Sequence, residues 1–405
     1  MIQSRRTNWF FLFGTNFLGI FNDNFLKHCI VFVAITWQLP TWLTQSQLIS
    51  LVSAALVIPY LALSPFAARL SSTYRHQKVL EIAKLAELPI MIIACVAFIN
   101  QWIWLALISV LLMGIQSSLY SPAKYSLIRD VGGVEGSSFG SGIFESMAFL
   151  GILIGTVMAA TIADNYSVIV TCSLFLLLAL LGYYGARRIT TEECTHSCET
   201  QTIRPVKFIS DSYRFAKQYP LLNLGVFGAS FLWLIGGILQ MNLVIYCKND
   251  LQLTNSETGI IMATAAIGIA TGCFITGRFS GKKARKNLIP IGLTGLIVLL
   301  ALLIIIKPTA IIAGMLIFGI AFCGGVFQVP CLALIQQAPI GAKISDMFAY
   351  TNLITFVFLV FGTALFSLLT AISNENAYLV FGVLLLICTT ILIFVVIKLR
   401  QVVEK

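Results

Sequence analysis

Long apolar segments follow one another along almost the whole chain, and this feature limits the possible folds more than any other. An α-helix needs about 20 predominantly apolar residues to cross the hydrocarbon core of a bilayer. Hydrophobic residues make up 58% of the 405 residues and charged residues only 10%, which is more apolar surface than a soluble domain needs. The sequence therefore predicts an all-α membrane protein with twelve transmembrane helices, over residues 8–39, 48–70, 79–99, 102–122, 137–160, 166–186, 220–246, 257–278, 287–306, 309–331, 343–371 and 377–398.

The basic residues account for the formal net charge of +10 without a nucleic-acid partner. They are scattered through short loops between the apolar segments. With the N-terminus in the cytoplasm, nearly all Lys and Arg residues fall on the cytoplasmic side, and such a bias sets the orientation of membrane proteins. We therefore expect both termini to be cytoplasmic. Arg5 and Arg6 lead directly into the first span without the features of a cleaved signal peptide.

The one long polar linker, residues 187–219, divides the chain into two predicted six-helix bundles, 1–186 and 220–405. The two halves resemble each other: "FGTNFL" at 13–18 returns as "FGASFL" at 227–232, and "GT" at 155–156 returns at 362–363. Such a duplicated unit is typical of secondary transporters. The end of the linker alternates basic and apolar residues, which predicts either an amphipathic helix on the membrane surface or a solvated connector.

The first span carries an unusual group of polar side chains, Asn22, Asp23, Asn24, Lys27 and His28, inside an apolar run. Asp23 and Lys27 are one helical turn apart, so we expect the acid to pair with the base. Ionised side chains at bilayer depth normally face a protein interior or a wet cavity. The pattern favours a helix that lines a polar pathway; the alternative is a polar helix end at the membrane interface.

The fifth span contains Glu145, which is either a substrate-binding carboxylate or a structural partner for Lys124 or another basic loop residue. Small residues follow it at four-residue spacing, including Gly155, and the eighth span has a similar pattern that includes Gly272. Small residues let helices approach closely. We therefore predict that the Gly155 face packs against the eighth span.

The third span begins with a charged cluster, Glu81, Lys84 and Glu87, which we interpret as structural or gating because it lies close to the cytoplasmic rim. Pro122 is expected to break or kink the fourth span. Cys194 and Cys198 flank His196, but a second ligand pair is missing, so we predict no metal. We expect no cofactor and no enzymatic activity.

Four stretches carry a resemblance to a known family: "FLGIFNDNFLK" at 17–27, "YSPAKYSLI" at 120–128, "GSGIFESMAFLGILIGT" at 140–156 and "GGVFQVPCLALIQQ" at 324–337. They resemble the lysophospholipid transporter family of the major facilitator superfamily. The resemblance runs over essentially all twelve spans. It implies transport of lysophosphatidylethanolamine or related lysolipids to the cytoplasmic leaflet of a bacterial inner membrane, where a separate acyltransferase remakes the diacyl lipid.

The resemblance also implies which residues act. Asp23, Asn24, Lys124 and Glu145 match polar positions of the family. The sequence departs from the superfamily after the second span, where Ser71 and Ser72 stand in the region that usually carries an Asp, so cytoplasmic closure is expected to use other contacts. Our candidate substrate-binding residues are Asn22, Asp23, Asn24, Lys27, Lys124 and Glu145, and our candidate gating residues are Arg69, Pro122, Tyr125 and Arg278.

Two transport functions fit these features. The favoured one is a monomeric lysophospholipid transporter in contact with membrane lipids, in which Asp23 and Lys27 contact a zwitterionic headgroup. The rival is a proton-coupled exporter of amphipathic drugs, with Asp23 or Glu145 as the proton carrier. A membrane scaffold that transports nothing would need no buried charge, so the polar first span argues against it.

Overall fold

The computed structural model describes residues 4–33, 36–37, 43–164, 167–191 and 205–403. Within these ranges the regular structure is helical throughout. The α-helices are α1 (Arg5–Val33), α2 (Gln45–Thr73), α3 (His76–Asn100), α4 (Ile103–Asp164), α5 (Val168–Arg188), α6 (Pro205–Gln218), α7 (Pro220–Ile245), α8 (Asn255–Phe279), α9 (Leu288–Ile306), α10 (Ala310–Gln337), α11 (Ile344–Ser373) and α12 (Ala377–Val403). A π-helical turn, Tyr246–Asp250, extends α7, and a 3-10 turn, Gly341–Lys343, precedes α11.

The prediction of twelve spans is confirmed. Ten helices in the described part of the chain are long and apolar enough to cross a membrane, and α4, with 62 residues, is long enough for two spans. At 29 residues α1 is also long enough, but its polar side chains lower its hydropathy and leave it outside that set. The ten helices include α4 once. Adding α1 and the second span of α4 gives the twelve predicted spans.

The break between the two spans of α4 lies at Gly133, not at Pro122. Gly133 has φ 61° and ψ −177°, a backbone conformation that residues with a Cβ rarely adopt. Pro122 lies inside the helix, where the side chain of Ser126 donates a hydrogen bond to the Pro122 carbonyl (2.9 Å). The expected break at Pro122 is therefore wrong, because prolines are tolerated inside membrane helices; the kink, the other expected effect of Pro122, stays a prediction.

Two helices begin with matching capping boxes that explain where they start. Thr44 precedes α2 and exchanges hydrogen bonds with Gln47. Thr254 precedes α8 and does the same with Glu257. In each case the threonine and the residue three positions later satisfy backbone N–H groups that the first helical turn leaves without partners.

The chain divides into two compact units. The first unit comprises Met1–Gly133, Leu150–Ile209 and Ile340–Tyr350, and the second comprises Val134–Phe149, Ser210–Pro339 and Thr351–Lys405. These units differ from the predicted bundles by two short segments, one from α4 and one around the start of α11. The predicted division into 1–186, 187–219 and 220–405 stays a prediction.

An aromatic core holds α1 in the first unit. The ring of Phe25 lies 5.1 Å from the ring of Phe175 on α5, and Phe98 on α3 contacts the same ring at 5.5 Å. All three side chains are buried. Since Phe25 lies between Asn24 and Lys27, this packing sets the orientation of the polar segment of α1.

Gly155 of α4 packs against a different helix from the one predicted. A Cβ on Gly155 would lie 2.7 Å from the carbonyl oxygen of Phe21 and 3.2 Å from Cβ of Asn24, both on α1. On α8, Gly272 packs against Phe322 of α10. The prediction that the Gly155 face packs against α8 is wrong, because a pattern of small residues indicates close approach but does not identify the partner.

Candidate functional site

A buried ion pair forms the centre of the candidate site. Nζ of Lys84 donates a hydrogen bond to Oε2 of Glu87 at 2.6 Å, and each side chain is only 1% exposed. Both residues lie on α3, three positions apart, where side chains are neighbours on one helix face. The pair allows two charges to be buried together, since each compensates the other.

Glycines on two other helices lie against the Lys84 side chain, and one of them, Gly19, makes room for its ammonium. A Cβ on Gly19 of α1 would collide with Nζ of Lys84, and a Cβ on Gly182 of α5 would lie 3.5 Å from its Cδ. The ammonium also lies 5.5 Å from the centre of the Tyr120 ring on α4. Lys84 therefore reaches a position where α1, α3, α4 and α5 meet.

Asn22 connects α1 to this ion pair. Its Nδ2 donates a hydrogen bond to Oε1 of Glu87 at 2.6 Å, so both carboxylate oxygens of Glu87 have a donor. The Asn22 side chain is completely buried. The predicted binding residue Asn22 therefore lies beside Glu87, in a position that orients the polar segment of α1.

Asp23 is held by α4. Oγ of Ser117 donates a hydrogen bond to Oδ2 of Asp23 at 2.9 Å and lies 3.1 Å from Oε1 of Gln116. Nε2 of Gln116 in turn donates to the carbonyl of Ala83 on α3 (2.9 Å). These bonds join α1, α3 and α4 around the Asp23 carboxyl group.

Lys27 is not the partner of Asp23. Among the residues that the structure describes, these two form no ion pair, and the charged side chains that act electrostatically on Asp23 are Glu87, Lys84 and Lys124. The predicted Asp23–Lys27 pair is wrong, because the four-residue spacing permits such a contact but neighbouring helices supply closer partners. Lys27 is partly buried, one residue before His28.

Lys124 belongs to the same unit and reaches the site through an aromatic contact. Its Nζ lies 5.6 Å from the centre of the Tyr120 ring and 5.7 Å from that of Tyr125. Tyr120 thus lies within cation–π distance of both Lys84 and Lys124.

Asn24 differs from Asn22 and Asp23, whose side chains bond to other helices. Its amide donates to the carbonyl of Ile20 in its own helix (2.8 Å).

Glu145 is in the second unit, unlike the other candidate binding residues. It is buried and acts electrostatically on Cys273 of α8. Gly142, one turn earlier, packs against Gly277 and the carbonyl of Cys273. The environment of Glu145 is thus a close crossing of α4 with α8.

A second polar network in the first unit joins α3, α4 and α11. Nδ1 of His76 lies 2.6 Å from Oδ2 of Asp130, and Nε2 lies 2.8 Å from Oγ of Ser345. Oγ of Ser345 is also 2.9 Å from Oγ of Ser126. We call these four residues the His76 network. It lies near the start of α3, on the side where Ser71 replaces the usual acid.

The predicted gating residues have different surroundings. Tyr125 stacks on Phe348 of α11, with ring centres 5.1 Å apart and planes 12° apart. Pro122 is buried one turn before Ser126, whereas Arg69 and Arg278 are exposed near the ends of α2 and α8. Tyr125 and Pro122 therefore lie close to the His76 network in sequence and structure.

Sequence reasoning identified Lys84 and Glu87 as part of a structural or gating cluster but missed their contact with α1, and it missed His76 entirely. It assigned Lys84 and Glu87 to the cytoplasmic rim, whereas they are buried against Asn22 of α1. Their spacing of three residues inside an apolar helix was the available signal. For His76 the signal was weaker, since its partners Asp130 and Ser345 are far away in sequence.

Comparisons with known proteins agree with this architecture. The sequence profile of the Major Facilitator Superfamily matches residues 9–355. The lysophospholipid transporter LplT of Yersinia enterocolitica is 24% identical over 324 residues, covering 79% of this chain and 76% of the relative. The LplT of Yersinia pestis (strain Pestoides F) is 25% identical over the same lengths.

Solved structures with a similar fold include three transporters. The human organic anion transporter MFSD10 (TETRAN) has a TM-score of 0.77 at 13% identity, covering 96% of this chain and 100% of that one. The transporter FucP in its outward conformation has a TM-score of 0.73 at 13% identity, with 98% and 99% coverage. A bacterial homologue of the iron transporter ferroportin has a TM-score of 0.68 at 15% identity, with 96% and 99% coverage. At these identities the likeness concerns the fold alone.

Proposed function

Since the chain belongs to the major facilitator superfamily, we propose that it is a secondary transporter that moves lysophospholipids such as lysophosphatidylethanolamine across a bacterial inner membrane. Two relatives named lysophospholipid transporter support this substrate class. The observation that carries the proposal is the buried group of charged and aromatic side chains on α1, α3 and α4. Membership in this superfamily agrees with the prediction that the chain is not an enzyme.

The chemistry of the site suits a zwitterionic headgroup. Lysophosphatidylethanolamine has a phosphate, an ammonium group and one acyl chain. Asp23 accepts a hydrogen bond from Ser117 on one oxygen, and a carboxylate has further acceptor sites for an ammonium group. Lys124, over the rings of Tyr120 and Tyr125, is the proposed phosphate ligand, since charge-assisted hydrogen bonds are strong where water is scarce.

The Lys84–Glu87 pair has a positioning role in this proposal. Both charges compensate each other, and Glu87 also holds Asn22. The pair therefore orients α1 so that Asp23 faces Ser117 of α4. Asn24, Lys27 and Glu145 stay in the proposed binding set as residues that contact substrate during other steps of transport.

The proposed gate on the cytoplasmic side is the His76 network together with the Tyr125–Phe348 stack. Both sets of contacts hold the first turns of α11 against the first unit. They supply the contacts expected in place of the superfamily's usual acid after the second span. Pro122, Arg69 and Arg278 remain part of this gating proposal.

The cellular setting is proposed from the distribution of charge. The chain is a multi-pass membrane protein, and its basic loops support cytoplasmic termini. Delivery of lysolipid to the cytoplasmic leaflet would serve an acyltransferase on a separate chain. We propose that the transporter itself works as a monomer.

Reconstituted transport tests the function. Proteoliposomes should move fluorescent lysophosphatidylethanolamine without an imposed proton gradient, and should move a cationic dye far more slowly. Asp23→Asn should reduce lysolipid transport at least tenfold, whereas the matched change Asp211→Asn, at an exposed position of α6, should leave it unchanged. Dye transport that requires a proton gradient and is abolished by Glu145→Gln would support the drug exporter instead.

A further inference from the structure

Helix α6 (Pro205–Gln218) in the linker has one side that faces the protein. Ser212 and Ala216 are buried, and Phe208 and Phe215 are partly buried. With about 3.6 residues per turn, positions 208, 212, 215 and 216 lie on one side of a helix. This side attaches α6 to the rest of the chain and leaves the other sides exposed.

A second strip of α6 is apolar and exposed. The exposed fractions of Val206, Ile209 and Tyr213 are 82%, 40% and 45%. Their spacing of three and four residues aligns them along the helix. An apolar strip of this kind beside charged residues is the pattern of helices that lie in the membrane interface.

Basic side chains flank this strip. Lys207, Arg214 and Lys217 are exposed, and the helical repeat places them on the side of the strip that points away from the buried face. Asp211 is the one acidic residue of α6 and lies at the far edge of the basic side. The charge next to the apolar strip is therefore positive, which complements an anionic surface.

The position of α6 in the chain identifies the surface. Only Tyr219 separates α6 from Pro220, the first residue of the membrane span α7. Helix α6 therefore ends close to the level at which α7 enters the bilayer. A three-residue strip is also far smaller than the roughly 800 Å² per partner that a stable protein interface buries.

We propose that α6 is a lipid-binding surface helix that inserts Val206, Ile209 and Tyr213 among the lipids and binds anionic phospholipid headgroups through Lys207, Arg214 and Lys217. Each basic residue near an anionic leaflet adds to the attraction. This inference concerns a surface outside the proposed transport site and does not depend on the transported substrate.

Photo-cross-linking of the full-length protein in proteoliposomes tests the proposal. A photoreactive amino acid replaces Val206 or Ile209, and in the control it replaces Asp211 or Gln218. The membranes contain a clickable phosphatidylcholine or a clickable phosphatidylglycerol. We expect several-fold more lipid adduct at 206 and 209 than at 211 and 218, and more adduct with phosphatidylglycerol than with phosphatidylcholine.

The charge contribution is tested in the same membranes. The triple change Lys207→Gln, Arg214→Gln and Lys217→Gln should remove the preference for phosphatidylglycerol, whereas exchanging Lys for Arg at 207 and 217 should keep it. Added inorganic phosphate should not compete, which distinguishes a lipid surface from a site for free phosphate. Equal labelling at all four positions, adducts to protein, or an unchanged preference in the triple variant would overturn the proposal.

Discussion

Nζ of Lys84 lies 2.6 Å from Oε2 of Glu87, and both side chains are buried inside a membrane helix. Removal of one member of such a pair leaves an uncompensated buried charge, whereas removal of both leaves none. The pair also connects to α1 through Asn22. The four-helix contact around Lys84 therefore depends on a charge balance within α3.

The first prediction concerns this balance. Lys84→Met should destabilise the protein by about 3–5 kcal/mol, the usual cost of breaking a buried ion pair, and should strongly reduce transport. The double variant Lys84→Met with Glu87→Leu should melt at a higher temperature than Lys84→Met alone, because it does not leave Glu87 buried without its partner. Thermal unfolding of the purified variants in detergent measures this; a double variant no more stable than Lys84→Met would show that the two charges are not coupled.

The second prediction concerns the partner of Asp23. A double-mutant cycle between Asp23→Asn and Ser117→Ala should show coupling, because the two side chains share a hydrogen bond. The cycle between Asp23→Asn and Lys27→Gln should be close to additive. Initial rates of lysolipid transport provide the measurement. Strong coupling between Asp23 and Lys27 would contradict this prediction and support the ion pair expected from the sequence.

The third prediction concerns the crossing of α4 with α1. Gly155→Leu should reduce folding yield and transport, because even a Cβ at this position would lie 2.7 Å from the Phe21 carbonyl oxygen. Gly14→Leu is the matched control, since no atom lies within 4 Å of a Cβ placed there. Folding yield and transport are measured for both variants in parallel. A Gly155→Leu variant that folds and transports as well as Gly14→Leu would contradict this contact.

The fourth prediction concerns the His76 network. His76→Leu removes one hydrogen bond from Asp130 and one from Ser345. Ser345→Ala removes a single hydrogen-bonding side chain, and each such hydrogen bond is worth about 1 kcal/mol. If the network is a gate, a cysteine introduced by Ser126→Cys should react with a maleimide faster in the His76→Leu background, with a smaller increase for Ser345→Ala. Labelling at position 126 is followed by mass spectrometry. Equal labelling rates with His76→Leu, with Ser345→Ala and without either change would contradict a gating role for the network.

The first span shows which contacts a local sequence pattern can predict and which it cannot. The sequence correctly placed polar side chains inside α1, because an apolar run interrupted by Asn22 and Asp23 is visible without any structure. It assigned Lys27 as the partner of Asp23, since only neighbours along the helix can be inferred from spacing. The true contacts of Asp23 and Asn22, with Ser117 and Glu87, join residues 94 and 65 positions apart.

The sequence by itself determined the helical membrane fold, because twelve apolar segments long enough to cross a bilayer admit no other backbone that satisfies its own hydrogen bonds in lipid. Only the tertiary structure decided which polar groups share a site. Lys84 can be buried because Gly19, on another helix, leaves space for its ammonium. The Gly155 face packs against α1 for the same kind of reason: helix neighbours depend on the packing of whole surfaces, which a one-dimensional pattern does not contain.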